Sequence, residues 1–282
     1  MDVLRLFEML RDGRIKIDFI EILRYIILAL EELKHMDGVK FHGSLSVDTV
    51  GILITKTGKI HVKVFGVSYK TPGLSAQDDF VALGSLIKEC FQLSNFPIVD
   101  HVEAHDFTER LNIGNALPMH AVSLWTHYEQ NPSHLLRHPL FWSGAMCLEF
   151  VKRLGGLLMS IAGRTKAATF RNTFRTAMDI PINNWQASVD SNTQTHIGKK
   201  TYGTFDCLSS TDLLKMMRHK RIHFLELQTV DQSFYGMLPE AFYEHFRSDY
   251  PDLLMRAYNA LEQYIALLPD LPNGYFDDLL LR

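Results

Sequence analysis

Helical periodicity of apolar residues constrains this chain more than any other feature. Between Asp18 and Met36 the positions Phe19, Ile20, Leu23, Ile26, Ile27, Leu30 and Leu33 form a broad apolar stripe, the pattern of a buried helix. Ala145 to Ala162 and Leu253 to Leu268 repeat it as long amphipathic helices. Strand patterning is confined to Val50–Thr55 and Ile60–Val64. These runs flank the turn Lys56-Thr57-Gly58 and predict a small β-hairpin. The expected fold is therefore mainly α, with that hairpin in its first half. Pro181 to Gly203 reads as a largely irregular connection whose length suggests a functional loop.

With 282 residues, 46% of them hydrophobic, the chain has material for one large core or two modest ones. A net charge of −3 excludes a protein that coats nucleic acid by electrostatics alone, so any such contact should be local and salt-sensitive. No apolar run approaches the roughly 20 residues that span a bilayer. Tyr25 to Leu30 is short and flanked by Arg24 and Glu31, and Leu111 to Tyr128 is broken by Asn112, Asn115, Pro118, His120 and His127. Asp2, Arg5, Glu8 and Arg11 make the N-terminus unlike a secretory signal. Cys90, Cys147 and Cys207 are widely spaced and read as thiols rather than a disulfide framework. Together these features predict a soluble protein of the cytoplasm or nucleus, without a membrane partner.

The segment Leu213-Leu214-Lys215-Met216-Met217-Arg218-His219-Lys220-Arg221-Ile222-His223 gathers two imidazoles and four cations around a short apolar stripe. Leu213, Leu214, Met217 and Arg221 follow helical spacing, and Asp212 near the start suits the helix dipole. His219 and His223, four apart, lie side by side. A metal held by this pair would need a further carboxylate or thiolate, and Lys220 and Arg221 would repel a dication, so no metal is expected. The pair also suits general acid–base work on a phosphodiester, since imidazole titrates near about 6.5 and a guanidinium can hold phosphate. Neighbouring cations would lower either histidine's pKa. The plainer alternative, a solvated basic face, stays open on these residues alone.

Further motifs flank this segment in a definite order. Glu226-Leu227, Leu238-Pro239-Glu240-Ala241-Phe242 and Tyr250-Pro251-Asp252-Leu253-Leu254 come after it, and His138-Pro139-Leu140-Phe141-Trp142-Ser143 lies upstream. The combination resembles the kinase-extension nuclease (KEN) family of dual kinase/endoribonucleases, which includes the inositol-requiring unfolded-protein sensor and RNase L. The resemblance implies an all-α KEN ribonuclease domain over residues 143–282 and a degenerate protein-kinase-like C-lobe over residues 1–142. His42-Gly43-Ser44 to Thr49 stands where a kinase has its catalytic loop, Val64-Phe65-Gly66 where it has Asp-Phe-Gly, and Asp79 to Gly84 resembles the anchoring helix of the lobe. Met1 to Arg14 resembles the helix after the kinase hinge, and no Gly-rich loop or strand lysine precedes Asp18. By this alignment Ser44 replaces the catalytic base, Thr49 the metal-binding Asn and Val64 the metal-binding Asp. Two hydroxyls and an isopropyl group cannot orient a phosphoryl acceptor and hold magnesium, so neither kinase activity nor ATP binding is expected, and no cofactor.

For the nuclease, the resemblance implies that His223 protonates the leaving oxygen and Arg218 meets the phosphate, with His219 standing where the family has asparagine. The family's tyrosine falls on Tyr202 by the local motif Lys200-Thr201-Tyr202, or on Phe205 by strict counting. A second family arginine aligns with Asp249, near Arg247 and Arg256. Lys215, Lys220 and Arg221 are the expected contacts to the RNA backbone, with Lys199 and Lys200 available for the same role. Trp125, Trp142 and Trp185 are expected to pack helices. Two functions are compatible with these residues. One is a metal-independent endoribonuclease that works through the RNA 2′-hydroxyl, with Tyr202 or His219 assisting deprotonation. It would act as a homodimer, or as a heterodimer with a related kinase/endoribonuclease. The other is a catalytically silent regulator that pairs with a full-length relative.

Overall fold

Among the described residues, local apolar patterning becomes helix almost everywhere outside one hairpin. The computed structural model describes residues 4–5, 19–36, 42–57, 59–66, 76–93, 101–111, 128–161, 165–179, 182, 184–191, 194, 205–268, 271 and 275–280. These residues are mostly helical, with one small antiparallel sheet. They divide into two units, Met1–Phe141 with Leu280–Arg282, and Trp142–Leu279. No helix among the described residues is long and apolar enough to cross a membrane.

In the first unit, β1 (Leu4–Arg5) precedes α1 (Phe19–His35), which is followed by β2 (Val50–Ile54) and β3 (Ile60–Val64). α1 forms where the stripe predicts it and buries Ile22, Leu23, Ile26, Ile27, Leu30 and Leu33. Each such side chain contributes roughly 1.5–3 kcal/mol relative to exposure. The hairpin also forms as expected, with Val50 opposite Val64, Ile52 opposite Val62 and Ile54 opposite Ile60. Gly58 of its turn lies outside the described residues. One expectation is overturned: Leu4 and Arg5, read as part of a helix, are extended and pair antiparallel with Ile52 and Gly51. The edge of β2 offers unpaired N–H and C=O groups, and a segment that satisfies them gains hydrogen bonds that local helical preference does not foresee.

A polar network fixes the loop between α1 and β2. α2 (Ala76–Leu93) carries the buried Asp79, whose carboxylate accepts the backbone N–H groups of His42 and, at 2.7 Å, Gly43. Desolvation raises the Asp79 pKa against the lowering effect of those two donors. Gly43 has φ +79°, which suits a residue without Cβ. The ring of His42 is bonded through Nε2 to the Phe65 carbonyl at 2.6 Å. Ser44 donates to the Gly66 carbonyl at 3.4 Å, and the Thr49 hydroxyl accepts from Ser46 N–H at 2.9 Å. Val64 is a strand residue paired with Val50. The Thr49 hydroxyl thus bonds the loop's own backbone, and that of Ser44 bonds the backbone just after β3.

α3 (Val102–Leu111) closes this unit against α2; at the crossing, a Cβ on Gly84 would lie 3.1 Å from Leu111 Cβ. From α3, Asp106 accepts from Arg110 at 2.6 Å and bonds His138 Nε2 at 3.1 Å. His138 Nδ1 accepts from Leu140 N–H, so the proton of the neutral ring sits on Nε2. Complete burial pushes the His138 pKa down to about 4 despite Asp106.

The regular elements described in the second unit are all helices. It comprises α4 (Gly144–Ser160), α5 (Ala168–Met178), α6 (Ser210–Ile222), α7 (Thr229–Tyr235), α8 (Pro239–Asp249) and α9 (Leu253–Tyr264), with 3-10 turns at Trp185–Ser188, Phe224–Glu226 and Ile265–Leu267. α4 and α9 coincide with the two predicted amphipathic stripes to within a few residues. α6 and α8 pack on α4, and α9 packs on α5. Trp142, Phe150, Tyr258 and Phe276 form an aromatic core, with ring centroids 5.2 to 6.2 Å apart. Trp185 is fully buried and donates its indole N–H to the carbonyls of Asp206 and Ser209, both at 3.2 Å, which fixes the entry to α6.

Candidate nucleic-acid site

The basic segment owes its helix to both of its ends. Ser209 caps α6 by accepting the Asp212 N–H at 3.3 Å, and the Asp212 carboxylate accepts from Asp206 N–H at 2.9 Å, so the first turn is closed by side chains. The buried face is Leu213, Leu214, Met216 and Met217. The helix ends one residue earlier than its pattern suggests. His223 is the C-cap, bonding back to the His219 carbonyl at 3.1 Å, and leads into the 3-10 turn Phe224–Glu226.

That turn creates the site. The rings of His219 and His223 lie with centroids 4.8 Å apart, and His223 Nδ1 is 2.9 Å from Glu226 Oε2. The carboxylate orients the imidazole and leaves Nε2 as the nitrogen available for proton exchange. His219 is half-buried; desolvation lowers its pKa, helped by the charges of His223, Lys220 and Arg218. Burial thus disfavours the charged form of the His219 ring. Glu226, named in the sequence only as part of a flanking motif, is the partner of His223 that sequence reasoning did not assign. Its signal was present, since it lies three residues after His223 and one turn brings such pairs together. Among the described residues no group of three His, Cys, Asp or Glu is arranged to hold a metal ion.

Arg218 lies on the face of α6 toward α4, its Nη1 3.3 Å from the Met159 sulfur. Its Nε is buried and has no hydrogen-bond acceptor among the described residues. Lys220 corrects an expectation. Read as an RNA-backbone contact, it is instead an internal cation, its side chain 8% exposed and its ammonium 3.1 Å from Asp190, which is itself 1% exposed. The Tyr235 hydroxyl donates to the same carboxylate at 2.7 Å. Helical geometry explains the change, because Lys220 comes seven residues after Leu213 and shares its buried side.

The other cations stay near the surface. Lys215 pairs with Asp212 at 2.8 Å, and Arg221 sits over the Phe224 ring at 5.8 Å. Arg221 also borders a groove of about 670 Å³ with Glu149, Lys152, Ile222, Leu225 and Met237. Leu225, between His223 and Glu226, is 90% exposed. Phe205, one arm of the tyrosine fork, packs edge-on against Trp185 at 6.3 Å. Tyr202, the other arm, lies outside the described residues, as do Lys199, Lys200 and Trp125. Asp249 is occupied, accepting the Ser188 hydroxyl at 2.6 Å. Arg247 and Arg256 are paired with Glu244 and Asp252.

A helical domain that brings two unequal imidazoles and an arginine to one helix end has the equipment of a phosphodiester-handling protein. The family model described as Ribonuclease 2-5A matches residues 148–271, from α4 to just beyond α9. The chain is similar to the serine/threonine-protein kinase/endoribonuclease IRE1b of Arabidopsis thaliana, at 30% identity over 131 residues, 46% of this chain and 14% of the relative. It is also similar to the kinase/endoribonuclease IRE1 of Oryza sativa subsp. japonica (24% over 200 residues, 66% of this chain and 21% of the relative). The corresponding figures for Homo sapiens IRE2 are 24% over 179 residues, 63% and 18%. The two longer matches exceed the second unit and so run into the first. Most of the second unit thus matches the Ribonuclease 2-5A family model, and the chain is similar to the dual kinase/endoribonucleases. It spans between a seventh and about a fifth of the length of these relatives.

Proposed function

We propose that the second unit is a metal-independent endoribonuclease that cleaves RNA by intramolecular transesterification. The first unit then acts as a kinase-like lobe without phosphoryl-transfer chemistry, a platform for pairing with a second copy or a full-length relative. The observation that carries the reading is the pair of imidazoles at the end of α6, their rings 4.8 Å apart, with His223 held by Glu226 and the charged form of His219 disfavoured by burial. In the reaction, His219 takes the proton from the 2′-hydroxyl as O2′ bonds to phosphorus. Arg218 meets the charge that develops on the non-bridging oxygens, and protonated His223 gives its Nε2 proton to O5′ as the P–O5′ bond breaks. The products are a 2′,3′-cyclic phosphate and a 5′-hydroxyl, and solvent resets both rings. Arg221 and Lys215 are the surface cations that remain for the RNA backbone once Lys220 is set aside.

One observation favours a second reading, a silent regulator: where counting back from Asp212 seeks a tyrosine, Phe205 offers only a phenyl ring against Trp185. Two hairpin RNAs separate the readings, one all-ribo and one with 2′-deoxy at the cleaved nucleotide. The nuclease cuts the first to cyclic-phosphate ends and leaves the second intact. Equal cleavage of both, or cleavage only with added magnesium, contradicts the mechanism, and cleavage of neither favours the regulator.

A further inference from the structure

The Arg218 side chain rests on α4 at two places one helical turn apart. A Cβ on Gly155 would lie 2.8 Å from Arg218 Cβ and 3.0 Å from its Cδ, so the glycine seats the stem of the arginine on bare helix backbone. Four residues further along the same face of α4 comes Met159, whose sulfur lies 3.3 Å from Nη1 at the far end of that side chain. The sulfur is the only hydrogen-bond acceptor that the guanidinium meets among the described residues, since Nε is buried and has none. A thioether is a weak acceptor, and it leaves Nη1 ready for a stronger one.

Met159 is also open to solvent. It is 49% exposed, whereas Met178, Met216, Met217 and Met255 are buried. Met36, Met146 and Met237 are exposed as well, but among the described methionines Met159 alone has its sulfur bonded to a residue of the candidate site. We propose that Met159 is an oxidation site whose sulfoxide takes Arg218 out of use. In the step, the sulfur lone pair attacks one oxygen of hydrogen peroxide, the O–O bond breaks and an S–O bond forms. The proton on the transferred oxygen passes to the other oxygen, which leaves as water; sulfur loses two electrons and the peroxide gains them. The sulfoxide oxygen is a strong acceptor for the Nη1–H of the seated guanidinium, and it competes there with the phosphate oxygens of RNA. A methionine sulfoxide reductase reverses the change, the oxygen leaving as water while two thiols become a disulfide. The effect on cleavage rests on the nuclease reading, whereas the contact with Arg218 does not.

The full chain is treated with hydrogen peroxide, quenched, and then incubated with dithiothreitol, which restores reversibly oxidised thiols but not methionine sulfoxide. Peptide mass spectrometry should find one added oxygen on Met159. Cleavage of the all-ribo hairpin should fall about 10-fold or more, the loss of roughly one charge-assisted hydrogen bond, and should recover with the reductase. Met159→Leu conserves volume and removes the sulfur, so it should cleave like the untreated wild type both before and after peroxide. Met159→Gln, with an amide oxygen in place of the sulfoxide, should be slow without any oxidant.

A readout independent of cleavage is the Arg218 Nε–H resonance in the full chain labelled with ¹⁵N-arginine, identified by its loss in Arg218→Lys. Peroxide should shift it in the wild type and leave it in place in Met159→Leu. If the wild type cleaves no RNA but the resonance shifts in this selective way, the Met159 assignment stands while the nuclease reading falls. If RNA is cleaved and its rate is unchanged with Met159 oxidised, or falls equally in Met159→Leu, the assignment is overturned and the nuclease reading survives. Met159 left unoxidised at a dose that converts Met237 overturns the assignment as well. A wild type that neither cleaves RNA nor changes its resonance overturns both.

Discussion

The loop before β2 and the end of α6 are the two places where the family resemblance of the sequence implies catalytic positions, and their polar groups have opposite fates. In the first, Thr49 bonds the loop's own backbone and Ser44 the backbone just after β3, while Val64, at the end of β3, pairs within the sheet. In the second, Arg218 keeps a buried Nε without an acceptor among the described residues, burial disfavours the charged form of His219, and Glu226 holds His223 through Nδ1, which leaves Nε2 for a ligand. A fold that satisfies a polar group internally removes it from chemistry on a ligand, whereas one that leaves a ring nitrogen without an internal partner keeps it for that use. The contrast also runs within the second unit, where Lys220 and Asp249 are bonded inside the fold.

The comparison is most exposed to test at the histidines. His219→Ala and His223→Ala should each lower single-turnover cleavage of RNA by about 100- to 10,000-fold while leaving the melting transition in place, the loss typical of a missing acid or base. Loss of folding in both variants would make the end of α6 structural and erase the contrast.

Lys220→Met should act on stability instead. Leaving Asp190 buried without its cation costs about 3–5 kcal/mol, whereas Lys220→Met with Asp190→Leu should recover most of it. Urea unfolding reads both. A Lys220→Met protein that unfolds like the wild type but binds RNA weakly would return Lys220 to the surface role.

The next effect is in pH. His138 has a folded pKa of about 4, well below the roughly 6.5 of an unfolded chain, so between these values the unfolded state binds a proton that the folded state refuses. Stability should therefore fall as pH drops from about 6.5 to about 4, by up to ~3 kcal/mol, and this contribution should level off below. Unfolding at several pH values, with His138→Asn as the reference, isolates it. A variant with the same slope as the wild type removes His138 as the cause.

The smallest effect belongs to the first unit. Ser44→Ala should change stability by less than about 0.5 kcal/mol, as exposed substitutions do, and should leave RNA cleavage unchanged. A cleavage defect in Ser44→Ala would show that the loop is not the inert member of the pair.

How much could be read from sequence depends on where the determinants lie. α1, α4, α9 and the hairpin are legible because their signal is local and repeated, as in the run from Ile22 to Leu33. α5 and α8 escape notice because each is anchored by few aromatics, Phe170 with Phe174 and Phe242 with Phe246, on otherwise polar helices. β1 depends on the vacant edge of β2, and the burial of Lys220 depends on Asp190, thirty positions upstream. Neither partner can be seen from the segment itself. In the site, Arg218, His219 and His223 are legible from type and spacing. The inequality of the two imidazoles is not, because it arises from burial and from a turn at the helix end.

The most direct test of the two-imidazole site is cleavage of a labelled RNA hairpin by the purified chain in EDTA, across a protein concentration series, with His223→Ala beside it. The account predicts cleavage that survives the chelator, rises more steeply than linearly with concentration as copies pair, and vanishes in the variant. Wild-type protein that leaves the hairpin intact at every concentration, or a His223→Ala protein that cuts as fast, would contradict it.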